Sequence, residues 1–192
     1  MFFTKLMMQS AKAINYDYVE DDSLLFKREN ELWGYDSGGN ANYKIIKDLN
    51  KGEKGVTYCG TLPNVTGAYL LTLIRYRLIV YRYSDGRVAI RNYQSGGWII
   101  GQNAPVDIEQ PYIAVTLYFP TETTQTVSLS VEGQEPITAT GSWNGTTKDG
   151  WVGMSSSNTL KTEPMELGLI YDRVLTDAEL EQNYQAFLAK HR

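Results

Sequence analysis

Glu166-Leu167-Gly168-Leu169-Ile170-Tyr171-Asp172-Arg173-Val174-Leu175-Thr176-Asp177-Ala178-Glu179-Leu180 carries a strand through a turn into a helix. Met165–Tyr171 reads as the strand. Thr176-Asp177-Ala178-Glu179 is a capping box, in which the threonine hydroxyl accepts from the N–H of Glu179 and the glutamate reaches back to the N–H of Thr176. Leu175 and Leu180 stand where a hydrophobic staple places them. Leu180, Tyr184, Phe187 and Leu188 then fall on one helical face. The helix is expected over 177–190. Asp177, Glu179 and Glu181 suit its positive end, and Lys190, His191 and Arg192 its negative end. Its apolar face must pack on a sheet.

Outward from this stretch the chain reads as short strands. Ile113, Val115, Leu117 and Phe119 alternate with Tyr112, Ala114, Thr116 and Tyr118, and Val127, Leu129 and Val131 with Ser128, Ser130 and Glu132. That is the period of a half-buried strand. Leu78–Tyr83 and Arg87–Asn92 flank Ser84-Asp85-Gly86, a hairpin signal, because glycine takes the positive φ of a short loop. Tyr69–Arg75 is apolar on both faces and reads as central. Further strands are expected at 24–28, 31–35, 43–49, 56–61, 97–101, 136–140 and 150–154. About a dozen strands and one terminal helix indicate an all-β antiparallel sandwich. The expected organisation is an N-terminal arm or edge strand over 1–14 and one sandwich domain over 15–192, including the helix.

Composition excludes several chemistries. The 192 residues hold one cysteine and one histidine, so an intrachain disulfide framework and a multi-cysteine zinc site are out. His191 beside the C-terminus is a poor candidate for a buried catalytic triad. The net charge of −4 argues against nucleic acid as the main partner. No apolar run approaches the roughly 20 residues of a membrane-spanning helix. Lys5 interrupts the greasy Met1–Met8 stretch, which reads as a docking arm rather than an export signal. Five of the eight arginines lie between Arg75 and Arg91. Cys59, inside a strand, reads as a buried structural thiol.

Gly150-Trp151-Val152-Gly153-Met154, the Glu166–Leu180 stretch and Asn183-Tyr184 resemble the closing segment of laminin-G-like domains, members of the concanavalin A-like lectin/glucanase superfamily. The resemblance runs from about Pro111 to Ala189, some 40% of the chain. It implies a jelly-roll sandwich in which Tyr171 and Arg173 orient the last strand and helix. The family spans lectins, hydrolases, adhesion modules and viral surface proteins, so fold alone does not select a function.

Glycoside hydrolysis needs a carboxylate pair at defined separation. The Glu-x-Asp-x-Glu pattern of the family's glucanase branch is absent, and a non-enzymatic chain is expected. No cofactor is expected. Asp36, Asn40 and Asn42 in one loop, and Asn144 and Asp149 in another, have calcium-type oxygens but read as turn formers. Sugar binding asks for an aromatic platform beside planar polar groups. Trp98, Trp143 with Asn144, and Trp151 all adjoin loops and are the carbohydrate-binding candidates. Phe2, Phe3, Arg75, Arg77, Tyr81, Arg82 and Tyr83 are the candidates for a partner interface, since Arg and Tyr supply large area and directed donors.

A family that acts outside cells, on a chain starting at Met1 without an export signal, points to a bacteriophage virion protein. It would be a capsid decoration, tail or fibre-associated subunit docked on other virion proteins, able to form a homo-oligomer and to touch host glycans. The alternative is a carbohydrate-binding module of a bacterial surface or secreted protein.

Overall fold

The computed structural model describes residues 17–32, 43–46, 55–74, 78–92, 98–101, 104–143, 150–154 and 164–192. Among these residues twelve strands and one helix follow in the order β1 (Leu24–Leu32), β2 (Tyr43–Ile46), β3 (Gly55–Thr61), β4 (Ala68–Ile74), β5 (Leu78–Arg82), β6 (Val88–Asn92), β7 (Trp98–Ile100), β8 (Tyr112–Thr121), β9 (Thr124–Val131), β10 (Ile137–Ser142), β11 (Gly150–Met154), β12 (Pro164–Tyr171) and α1 (Asp177–His191). They form two six-stranded sheets, one ordered β1-β12-β3-β8-β9-β10 and the other β2-β11-β4-β5-β6-β7. Neighbouring strands pair antiparallel throughout.

Alternation drives the packing. Val56, Tyr58, Leu71, Leu73, Leu78, Val80, Ile90, Val115, Leu117, Val127 and Leu129 point between the sheets into one core. A second cluster lies on the other side of the first sheet. There Cys59, Tyr112, Ala114, Leu167, Leu169 and Tyr171 meet Ala186 and Phe187 of α1, with Tyr18 and Val19 closing the side. The helix thus covers that sheet's outer face. Phe187 is fully buried, a burial that contributes about 2 kcal/mol.

The capping box forms as expected: Thr176 Oγ1 accepts from Glu179 N and Glu179 Oε2 from Thr176 N at 2.8 Å. Arg173 locks the turn before it, donating to both Glu179 oxygens at 2.9 and 2.7 Å, to Asp21 Oδ2 at 2.6 Å and to Ser23 Oγ at 3.0 Å. From the first sheet, Thr57 Oγ1 donates to Arg173 O at 2.8 Å and accepts from Leu175 N at 3.0 Å.

One element differs from expectation. The strand expected at 24–28 and residues 31 and 32 of the one expected at 31–35 belong to a single strand, β1, paired along its length with β12, while 33–35 lie outside the described residues. Asn30 takes φ 56° inside it, a conformation that asparagine tolerates better than most residues. Among the described residues no helix is long and apolar enough to cross a membrane.

Candidate ligand-binding face

α1 covers the outer face of the first sheet, and the candidate face is the outer side of the second. Leu78 and Val80 of β5 and Val88 and Ile90 of β6 belong to the inner core. Their alternating neighbours Ile79, Tyr81, Ala89 and Arg91 therefore face away from it; Ile79 and Ala89 are buried there and Tyr81 and Arg91 half-buried.

The pairing registers join six strands in one row. Trp98 of β7 stands opposite Arg91, Arg91 opposite Ile79, Ile79 opposite Thr72, Thr72 opposite Gly153, and Gly153 opposite Tyr43. At the usual strand spacing the row is about 24 Å wide. Residue size falls to Thr72 and Gly153 in the middle and rises to Trp98 and Tyr43 at the ends. Ala89, Tyr81 and Tyr69 form the next row. Trp151 stands opposite Ile45 on β2, two residues from Gly153. The register alone places Trp98 and Trp151.

Beyond the second row the β5–β6 hairpin adds an aromatic and charged corner. The rings of Tyr81 and Tyr83 meet edge-on at 4.9 Å, and both residues are half-buried. The Arg87 guanidinium lies 5.3 Å from the centre of the Tyr83 ring. It also pairs with Asp85 at 2.6 Å, which holds the Asp85 carboxyl below the usual carboxylate range. Gly86 shapes this turn at φ 87° and lies against Val106, whose carbonyl oxygen would be 3.0 Å from any Cβ there.

Two expected site residues are corrected. Trp143 is only 4% exposed. It lies in the core against Phe119, with ring centres 5.3 Å apart, so its faces are not offered to a sugar. Arg82 is 3% exposed and is no interface residue. It shares the inward parity of Leu78 and Val80, and its guanidinium donates to the carbonyls of Pro63, Glu109 and Ile108 at 3.1, 2.9 and 2.9 Å. Tyr81 and Tyr83 are half-buried at the β5–β6 hairpin. Phe2, Phe3, Arg75, Arg77 and Asn144 lie outside the described residues, as do Asp36, Asn40, Asn42 and Asp149. Among the described residues no group of three His, Cys, Asp or Glu could hold a metal ion.

A second, polar groove of about 460 Å³ opens at the seam of α1 and β1, lined by Tyr18, Glu20, Lys27, Gln182 and Lys190 among others. Lys190 and Lys27 place their ammonium groups 4.2 and 5.3 Å from the centre of the Tyr18 ring. Tyr18 Oη meets His191 Nε2 at 3.2 Å. Burial and the nearby Glu29 carboxylate push the Tyr18 phenol above its ordinary range. Tyr18 is thus held protonated, the opposite of an activated nucleophile. Sequence reasoning missed this seam, since Tyr18 and His191 are joined only by the fold.

The carboxylates that do meet are structural. Asp21 and Glu179 share the Arg173 guanidinium, and both are lowered to about 2, Asp21 by Ser23 and Arg173 and Glu179 by Arg173. Neither holds a proton for a leaving group at neutral pH.

No family model and no curated protein sequence matches the chain. Solved structures do. A mutant of Trypanosoma rangeli sialidase displaying trans-sialidase activity is 9% identical with a TM-score of 0.54, covering 87% of this chain and 33% of that one. Trypanosoma rangeli sialidase in complex with 2,3-difluoro-KDN is 12% identical with a TM-score of 0.54, covering 90% and 34%. A mutant GH54 α-L-arabinofuranosidase is 8% identical with a TM-score of 0.44, covering 83% and 42%. At these identities the likeness to the sialidases is one of fold, and the chain spans about a third of their length. It overturns the expectation of a non-enzymatic chain, which rested on a missing motif: glycoside hydrolase chains carry this fold.

Proposed function

We propose that the chain is a concanavalin A-like jelly-roll domain that binds glycans on the outer face of the sheet β2-β11-β4-β5-β6-β7. The row from Trp98 through Arg91, Ile79, Thr72 and Gly153 to Tyr43 carries this reading. Large residues at its ends, small ones at its centre and an arginine within it suit an extended sugar chain, whose C–H faces pack on rings while its hydroxyls take directed hydrogen bonds. Tyr81 in the adjoining row supplies a second ring. The fold neighbour Trypanosoma rangeli sialidase, solved in complex with 2,3-difluoro-KDN, supports a carbohydrate reading.

A glycan array with the purified protein tests it, followed by titration of any ligand found. Tyr81→Ala and Trp98→Ala should each weaken binding about tenfold or more at unchanged melting temperature. Absence of binding to any glycan, or binding untouched by both substitutions, would sink the reading.

Docking of the same corner onto other proteins of a phage virion is the second reading. Tyr81, Tyr83 and Arg87 favour it, because they crowd large area and directed donors onto one accessible corner. Stoichiometric recovery of the chain in purified particles would support it, and absence from them would end it.

A further inference from the structure

We propose that the edge of β10, which among the described residues pairs only with β9, pairs antiparallel with β10 of a second copy, joining two first sheets across a two-fold axis. Among the described residues each sheet has two edge strands, and three of the four are blunted. β1 carries Lys27, Arg28, Glu29 and Glu31, with a register irregularity between Leu24 and Phe26. β2 has four residues, one of them Lys44, and β7 has three. Charge, irregularity and shortness are the devices that stop edges from pairing. β10, Ile137-Thr138-Ala139-Thr140-Gly141-Ser142, has none of them. It is six residues long, carries no charge and contains no proline.

The side chains favour a second copy as the occupant. Thr138, Thr140 and Ser142 are exposed on the outer face, while Ile137, Ala139 and Gly141 are half-buried. Hydroxyl pairs already cross from β9, Thr126 to Thr140 at 2.9 Å and Ser128 to Thr138 at 2.6 Å. With Ala139 opposite the partner's Ala139, Thr138 meets the partner's Thr140 and each hydroxyl row continues into the other subunit. On the inner face Ile137 then meets the partner's Gly141, large against small. No like charges oppose each other in this register. The contact is isologous and closes on itself. Head-to-tail growth would need β10 to pair with a blunted edge, and the charges of β1 oppose that.

Sedimentation velocity from about 1 to 100 μM tests the pairing. The expected result is a monomer–dimer equilibrium, with amide exchange at 137–142 slowing as concentration rises. Thr138→Lys/Thr140→Lys and Thr138→Glu/Thr140→Glu alter only exposed hydroxyl positions, and circular dichroism checks their fold. Each should weaken self-association about tenfold or more through like-charge opposition, and an equimolar mixture of the two should restore the dimer. A wild-type chain that stays monomeric, exchange at 137–142 that ignores concentration, or a dimer indifferent to both double substitutions would overturn the proposal.

Discussion

Asn183 of α1 and Tyr171 of β12 hold each other across the strand–helix junction: Asn183 Nδ2 donates to Tyr171 Oη at 3.1 Å, and both side chains fasten Val19. Tyr171 Oη donates to Val19 O at 2.9 Å and Asn183 Oδ1 accepts from Val19 N at 2.8 Å. All three residues are buried. Asn183→Ala strands the buried N–H of Val19 and takes a donor from Tyr171 Oη, which keeps its bond to Val19 O, so it should cost about 2–4 kcal/mol, while Tyr171→Phe should cost about 1–2 kcal/mol. Because they share one network, the double substitution should cost less than the sum of the singles. Urea unfolding of the four proteins of the cycle measures this.

Acid should release the helix start. Asp21 and Glu179 have folded pKa values of about 2, below their ordinary values of 3.8 and 4.5. A lowered carboxyl binds fewer protons in the folded state than in the unfolded one. Its contribution is therefore present above the unfolded pKa and is lost as pH falls from about 5 towards 2. The groups are partly exposed, so the effect is modest. Arg173→Met should lower the melting temperature at pH 7, and the gap to wild type should narrow as pH falls. A gap that stays constant down to pH of about 2 would remove the clamp from the acid response.

Strands and helix were legible because their signals are local. Period-two alternation marked 112–119 and 127–132, Ser84-Asp85-Gly86 marked the hairpin, and the spacing of Thr176 and Glu179 marked the cap. β1 was divided in sequence because its polar middle, Glu29-Asn30-Glu31, masks a strand that only pairing with β12 sustains. The candidate face was not legible. Its row draws on positions 43, 72, 79, 91, 98 and 153, and nothing local encodes the order β2-β11-β4-β5-β6-β7 that aligns them. Loop adjacency does not give exposure: Trp143 adjoins a loop, yet after the end of β10 its ring lies buried against Phe119.

Cys59 should be chemically silent until the sandwich opens. It is fully buried, and burial pushes its thiol up to about 12. At pH 8 only about one thiol in ten thousand is then ionised. Ellman's reagent should leave the native protein unlabelled for hours and label one thiol per chain in urea. Native labelling at the rate of a free thiol would mean that α1 detaches readily from the first sheet.

Arg82 should be intolerant of lysine. Its guanidinium reaches the carbonyls of Pro63, Ile108 and Glu109 at once, tying two connecting segments to the end of β5. Burial lowers its pKa, and among the described residues no carboxylate lies within ion-pairing distance. The charge is balanced by carbonyl dipoles alone, so it is stable only while all of them converge on it. Lysine keeps the charge but lacks the planar fork that spans these acceptors. Arg82→Lys should therefore cost about 1–3 kcal/mol, with amide exchange accelerating first at residues 62–67 and 104–111. Methionine removes the buried charge together with its donors, so Arg82→Met should destabilise less than Arg82→Lys if desolvation dominates and more if the carbonyls do. The convergence of the carbonyls on one cation favours the second outcome, which denaturant melts of the two variants decide.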